Sequence, residues 1–339
     1  TANGMPGTHH IEARVFKDVF PRFKTMQGFH VGRKAGWDCH GLPVELAVEK
    51  ELGLDGKQEI EEYGIEAFNK KCRESVSTYV HEFAELTTRM GYWVNLDEAY
   101  WTMDASYVES VWWALKQIFD KGLLSLDYRV TPYCPKDETA LSDHEVSQGY
   151  EDVTDPAVTV RMPLTSGPFA GKASLLAWTT TPWTLVSNTA VAAHPDVTYV
   201  VADLDGELLI VAEPLKNAVL GEDAVVIDSF LGQTMERWTY QRPFELLNFD
   251  ELANYVVLAT YVTTEDGTGL VHQAPAFGAE DMQVARQYGL PVVNPIRSNG
   301  TFEEEIPLVG GMFFKSADAP LVEDLRERGI LYRVENHAH

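Results

Sequence analysis

Two adjacent imidazoles, a carboxylate on a glycine-flanked loop, three consecutive threonines and a late His–Asp pair are the residues best equipped for chemistry in this sequence. His9 and His10 follow the turn Asn3-Gly4-Met5-Pro6-Gly7 and would open a helix. Free N–H groups and the dipole at such an end favour phosphate, and neutral imidazoles donate hydrogen bonds to developing phosphate charge. Helix capping would use the same side chains. Asp38 lies in Gly36-Trp37-Asp38-Cys39-His40-Gly41-Leu42-Pro43-Val44-Glu45. With a strand at Phe29–Val31 and a helix from Pro43 to Leu52 stopped by Gly53, this loop sits beyond the carboxyl end of a strand. Open α/β sheets bind small molecules at that edge. The plainer reading is a helix-entry loop with a buried Trp and a capping Asp.

The later residues carry hydroxyls, an imidazole and a carboxylate. Hydroxyls of Thr179, Thr180 and Thr181 can hold a substrate oxygen and a water, although threonine also favours ordinary strands. Asp281 can anchor an ammonium group, and His272 can line a side-chain pocket. Tyr133-Cys134-Pro135-Lys136-Asp137 has the outline of half a zinc knuckle, with Asp137 where the second thiolate would stand. Structural zinc favours thiolates, so neither zinc nor any other metal bound by protein side chains is expected.

Positioning these groups requires two kinds of domain. Apolar residues Ile11, Val15, Phe16, Val19, Phe20 and Phe23 predict a helix from His9 to Met26, broken or kinked at Pro21. With a strand before Thr1, a right-handed β-α-β unit would bring the Asn3–His10 turn and the Gly36–Pro43 loop to one edge of a parallel sheet. Residues 57–92 read as one long helical stretch, and Asp104 as the cap of a helix ending at Gly122. After about Glu151, β-type runs follow at Val158–Leu164, Ala173–Thr181, Thr198–Ala202, Leu208–Ala212, Ala224–Phe230 and Tyr255–Thr263. Asp205-Gly206 and Asp266-Gly267 are hairpin signals. The tail from Ala317 to His339 reads as a helix and then a strand heading back to the first domain. The fold class is therefore α/β with an inserted, mostly β, barrel-like domain.

The chain has 339 residues and a formal charge of −24, which argues at first against a polyanionic partner. Residues 1–36 nevertheless carry six Lys or Arg against two acids, so the acidity belongs to the remainder. Three scattered cysteines, Cys39, Cys72 and Cys134, make no disulfide framework and point to a reducing, cytoplasmic compartment. No apolar run is long enough to cross a bilayer. The abrupt opening, without Met, suggests that the sequence begins inside a domain.

Together these motifs resemble class I aminoacyl-tRNA synthetases. Gly7-Thr8-His9-His10 stands where that class has His-Ile-Gly-His, with Gly in place of the first His and His in place of the Gly. The Gly36–Glu45 loop is similar to the isoleucyl form. Trp178-Thr179-Thr180-Thr181-Pro182-Trp183-Thr184-Leu185 and Gly267–Asp281 resemble the two hallmark segments of the inserted editing domain.

The resemblance implies an incomplete Rossmann-like nucleotide-binding domain over residues 1–150, an editing domain over 151–325 and the start of a return over 326–339. It implies ATP with Mg²⁺ at Asn3, Gly4, Gly7, His9 and His10, and the amino group of isoleucine at Asp38. The editing pocket would comprise Thr179, Thr180, Thr181, Asn188, His272 and Asp281, with His9, His10, the threonines and Asp281 as catalytic residues. The implied reaction joins isoleucine to tRNA(Ile) and clears mischarged Val-tRNA(Ile). A pocket gains only about 1–3 kcal/mol from one methylene, isoleucine against valine being the standard instance of that limit. Valyl-tRNA synthetase is disfavoured by Trp37-Asp38-Cys39-His40. A nucleotidyltransferase acting without tRNA would lack the inserted β domain. No membrane or protein partner is implied.

The family's Lys-Met-Ser-Lys-Ser loop and second nucleotide-binding half have no counterpart in these residues, so the chain by itself is expected to support editing only. Isoleucine-dependent pyrophosphate exchange should not rise above an enzyme-free blank. Exchange well above that blank would overturn the expectation.

Overall fold

The structure, a computed structural model, describes residues 2, 4–147, 149–249 and 252–338. Asn3 lies outside the described residues. The chain divides into two compact units, Thr1–Asp127 and Tyr128–His339. Residues 128–150 and the tail thus cluster with the β-rich unit.

The first unit opens with α1 (Thr8–Met26), which runs through Pro21 without a break in the helix. β1 (Lys34–Trp37) begins three residues after the expected Phe29–Val31 strand. It pairs in parallel with β2 (Asn95–Trp101), placing Gly36 beside Tyr100 and Trp37 beside Trp101. Any side chain at Gly36 would drive into the Tyr100 ring. Between these strands lie α2 (Leu42–Leu52), α3 (Lys57–Tyr63), α4 (Ile65–Ser75) and α5 (Val80–Arg89). Gly53 closes α2 in the left-handed region at φ 71°, as its position predicts. The single helical stretch expected over 57–92 is three helices, because Gly64 at φ 105° separates the first two and a turn precedes Val80. α6 (Ala105–Asp120) starts after Asp104, which occupies the cap position without a side-chain capping bond. A small core joins Cys39, Val44 and Val76.

The second unit is mixed α/β. A short hairpin, β3 (Tyr133–Cys134) with β4 (Thr139–Ala140), and α7 (Asp143–Ser147) precede the main sheet. Its strands are β5 (Thr154–Pro163), β6 (Ala173–Thr179), β7 (Ala190–Ala193), β8 (Thr198–Leu204), β9 (Glu207–Ala212), β10 (Val225–Leu231), β11 (Tyr255–Leu258), β12 (Leu270–Gln273) and β13 (Leu331–Ala338). Three helices accompany them, α8 (Lys216–Leu220), α9 (Ala279–Tyr288) and α10 (Phe314–Glu327). The order is β10-β8-β9-β6-β12-β7-β11, with β5 on the other edge of β6 and β13 beside β5. The sheet therefore branches at β6. One edge of β6 pairs with β9 at Ala173–Leu175 and then with β12 at Trp178.

Asp205-Gly206 is a hairpin turn joining β8 to β9, with both residues at positive φ. Asp266-Gly267 is not a hairpin turn, because β11 and β12 both pair with β7 rather than with each other. The expected Tyr255–Thr263 strand ends at Leu258. The core gathers Val160, Met162, Leu175, Ile210, Val256 and Leu321, all fully buried.

The handover from β9 to β12 depends on Gly269. It sits at φ 75° with its Cα against Ala212, and a Cβ there would overlap that of Ala212. The buried Tyr199 hydroxyl donates to the Gly269 carbonyl at 2.6 Å, and Ala212 N–H donates to the Thr268 carbonyl at 2.9 Å. Gly269→Ala combines overpacking with a left-handed backbone and should destabilise the second unit by about 2–4 kcal/mol. Urea denaturation followed by tryptophan fluorescence would read this, and a midpoint equal to the parent's would refute it.

Candidate functional site

β6 delivers Thr179 to the end of the sheet, and the chain turns there into a 3-10 helix, Pro182–Ser187. Pro182 suits this first turn because its missing N–H would have no partner. The hydroxyls knit the turn. Thr181 N–H donates to Thr179 Oγ1 at 3.1 Å, the two hydroxyl oxygens lie 3.1 Å apart, and Thr181 Oγ1 lies 3.2 Å from Thr184 Oγ1. Thr184 donates to the Thr181 carbonyl at 2.8 Å. Three threonines in a row are thus a locked corner rather than a continuing strand.

His272, on β12, lies under this corner. Its Nδ1 is 2.9 Å from Asn188 Nδ2 and its Nε2 is 2.8 Å from Thr184 Oγ1. The amide nitrogen can only donate, so Nδ1 accepts and the proton sits on Nε2, which donates to Thr184. That leaves the Thr184 proton for the Thr181 carbonyl, and every group is satisfied. Burial drives the His272 imidazole down to about 3, so the ring is neutral. Asn188 is fully buried, and its Oδ1 accepts from the Tyr240 hydroxyl at 2.7 Å while its Nδ2 also reaches the Ala190 carbonyl. It stands behind the wall, holding His272, and is not part of the cleft lining.

Asp281 enters from the first turn of α9, after Gly278. Its Oδ2 accepts from Ala274 N–H at 2.8 Å, and its Oδ1 lies 3.4 Å from the Tyr261 hydroxyl. Gly278 makes room, since a Cβ there would lie 2.7 Å from the Asp281 carboxyl carbon. Burial pushes the pKa of this carboxyl above its ordinary value, and the Ala274 and Tyr261 hydrogen bonds offset only part of that rise. Thr179, Thr180, Thr181, His272 and Asp281 line one cleft of about 390 Å³, with Trp178, Trp183 and Phe277 as apolar walls. Asp266 and Asp281 are its charged residues, and among the described residues no Lys or Arg lines it. Hydroxyls, an acid and aromatic walls suit a small cationic molecule bearing an apolar group and an ester.

The remaining candidates lie in the first unit or near the hairpin. Gly7 is the cap residue of α1, and its N–H donates to His10 Nδ1 at 2.9 Å. Gly4 lies in the bend before it. The rings of His9 and His10 are 3.9 Å apart, and His10 meets Phe83 edge-on at 4.9 Å. Desolvation, and then the charge of His9, push the His10 imidazole down. Asp38 is exposed after β1, and its Oδ1 accepts from His40 N–H at 3.3 Å. Cys39 N–H donates to Thr102 Oγ1 at 2.9 Å, tying this loop to the end of β2. The Cys134 thiol donates to Asp137 Oδ2 at 3.0 Å. Among the described residues no group of three or more His, Cys, Asp or Glu is placed to hold a metal ion.

Sequence reasoning missed Tyr261, Thr184 and Asp318. Asp318 carried a signal, because it occupies the apolar stripe of α10 with Leu321, Val322 and Leu325. It is buried and accepts the Trp183 N–H at 2.9 Å, fastening the threonine corner to α10.

Comparison with known proteins agrees across the chain. The model of the family "tRNA synthetases class I (I, L, M and V)" matches residues 1–325. An isoleucine–tRNA ligase of Streptomyces avermitilis is 69% identical over the whole chain, which covers 32% of that relative. One from Thermus thermophilus is 51% identical, again over the whole chain and 32% of the relative. The chain thus spans about a third of the length of the curated relatives it matches. A solved leucyl-tRNA synthetase editing domain from P. falciparum aligns with a TM-score of 0.41 and 8% identity, over 53% of this chain and 99% of that one.

Burial lifts the Asp318 carboxyl from 3.8 to about 6, against the opposing pull of the Trp183 N–H and then of Lys315. The folded chain then holds this proton more tightly than the unfolded one. Its stabilising contribution is complete below the ordinary carboxylate range and is lost as pH rises through about 6, a change on the order of 3 kcal/mol. Asp318→Asn keeps an oxygen for the Trp183 N–H and removes the titration. Its thermal stability near neutral pH should match or exceed the parent's, with a flatter profile between about pH 4 and 6. An undiminished slope in the variant would contradict this assignment.

Proposed function

This chain belongs to the class I tRNA synthetases of the isoleucine, leucine, methionine and valine group, and we propose that it is a stretch of an isoleucine–tRNA ligase whose second unit hydrolyses Val-tRNA(Ile). The observation that carries the editing reading is one cleft lined by Thr179, Thr180, Thr181 and Asp281 and, among the described residues, by no Lys or Arg, with the His272 ring in its wall. The aminoacyl ammonium pairs with Asp281. The threonine hydroxyls hold the ester oxygen and an attacking water. Water adds to the carbonyl carbon, the bond to the ribose oxygen breaks, and that oxygen leaves with a proton. His272, neutral and tied at both nitrogens, acts as a wall that limits side-chain size and does not shuttle protons.

The first unit is the beginning of a Rossmann-like nucleotide-binding domain in this reading, supported by the parallel β1–β2 pair with helices between. α1 has no acidic residue in its first turn, which suits phosphate at its N-terminus. Gly4, Gly7, His9 and His10, with Asn3, would hold ATP there, and Mg²⁺ would offset the phosphate charge. Asp38, on its loop after β1, takes the ammonium group of isoleucine. In functional terms residues 1–150 serve nucleotide binding, 151–325 editing, and 326–339 the return. The complete enzyme joins isoleucine to tRNA(Ile).

Deacylation of Val-tRNA(Ile) beside Ile-tRNA(Ile) tests the editing reading. Asp281→Ala removes a charge-assisted hydrogen bond worth about 1.5–3 kcal/mol, so valine clearance should fall by about one to two orders of magnitude. His272→Ala should let Ile-tRNA(Ile) be hydrolysed while valine clearance persists, with circular dichroism confirming the fold. Unchanged clearance by Asp281→Ala would remove its anchoring role. If His272→Ala still spares Ile-tRNA(Ile), the wall does not set the size limit.

A further inference from the structure

Tyr261 reaches the threonine cleft from behind. It sits in the turn after β11, is not part of the cleft lining, and packs its ring against the small core that holds Val257, Ala259, Val284 and Ala285. Its hydroxyl has one proton and two acceptors. Gln273 Oε1 lies at 2.9 Å and Asp281 Oδ1 at 3.4 Å. Gln273 is fully buried at the end of β12, and its Nε2 donates to the Val271 and His272 carbonyls. The amide oxygen is therefore the end that faces the phenol, and it holds the hydroxyl beside the carboxylate.

This arrangement bears on how Asp281 is presented. Ala274 N–H fixes Oδ2 at 2.8 Å, which leaves the carboxyl free to turn about that one contact. A donor near Oδ1 limits the turn and leaves the other lone pairs of that oxygen for a cation in the cleft. The titratable groups around the carboxyl are Tyr261, Glu280 beside it on α9, and Asp266 and the neutral His272 in the same cleft. Glu280 and Asp266 oppose a negative charge on Asp281, and among the described residues no Lys or Arg lines the cleft to offset them. The ionised form therefore depends on hydrogen-bond donors. Burial, and then the charge of Asp281, push the Tyr261 phenol above its usual range, so it keeps its proton and remains a donor near neutral pH.

We infer that Tyr261 is a positioning residue for ester hydrolysis, its hydroxyl, steadied by Gln273, orienting the Asp281 carboxylate toward the ammonium group of the substrate. The inference rests on the editing reading and adds to it a residue outside the cleft. Tyr261 acts only through Asp281, and Asp281 acts only on the ammonium. An ester that lacks the ammonium is therefore indifferent to the phenol.

The test compares two esters of tRNA(Ile) on the parent chain, on Tyr261→Phe, and on a double variant that adds Gln273→Met so that no buried amide oxygen is left without a donor. One ester carries valine. The other carries 2-hydroxy-3-methylbutanoate, in which a hydroxyl replaces the ammonium group. For both variants kcat/KM on Val-tRNA(Ile) should fall about three- to tenfold, the range of one ordinary hydrogen bond. The hydroxy ester should be hydrolysed as by the parent. The acid limb of the valine profile should move to higher pH, because a carboxylate that loses a donor takes up a proton more readily. Equal losses on both esters would overturn the inference, since Tyr261 would then only support the fold. A parent-like kcat/KM and acid limb on the valine ester would overturn it as well. A parent chain inactive on Val-tRNA(Ile) would remove the editing reading itself, a pattern distinct from either.

Discussion

The cleft depends on one buried imidazole. His272 ties β12 to the 3-10 corner through Thr184 and to the strand behind it through Asn188. Protonation would turn Nδ1 into a donor facing an amide donor, inside a wall where both groups are buried. Neutrality of the ring is therefore a condition for the threonine corner to form, and burial enforces it. The neighbouring groups follow from this choice. Asn188 must donate to the ring, so its oxygen is left for Tyr240, and Tyr240 is fastened in turn. A polar relay inside an apolar sheet is stable only when every member has a partner, and here each has one.

Much of the site is legible in the chain alone. Thr179–Thr181 and the Gly267–Asp281 segment are contiguous, so both stand out as candidates in the sequence, although the threonines alone read equally as an ordinary strand. Strands within apolar runs are legible for the same reason, since alternation and length survive in any context. What escapes a reading of the chain is what depends on distant partners. The bonds of His272 to Thr184 and Asn188 span 88 and 84 residues, and no local pattern announces them. β1 falls outside the apolar triplet Phe29–Val31 because Lys34–Trp37 is short and half-exposed, and its pairing with β2 rather than its own hydrophobicity makes it a strand. Asp266-Gly267 marks a turn correctly, but a turn does not say which strands pair, and β7 intervenes between β11 and β12.

Charge is distributed on the scale of single concavities. The net acidity of the chain says little about any one concavity, whereas the threonine cleft is lined by Asp266 and Asp281 and, among the described residues, by no Lys or Arg. Local field, set by a few side chains at low-dielectric walls, decides what enters. Asp318 shows the same principle inside the protein. A carboxylate in the apolar stripe of α10 is costly, and its position is explained by the single backbone N–H of Trp183 that it satisfies.

The pairing of β13 with β5 has a consequence for how such a unit could travel between proteins. Their register sets Ala338 beside Thr154, so two points far apart in the sequence lie about 5 Å apart, one strand spacing. A host loop needs to open by no more than that to carry the whole second sheet as a cassette. Grafting, deletion or exchange at those two neighbouring points would leave the host's ends almost where they were, which makes the module portable on geometric grounds alone.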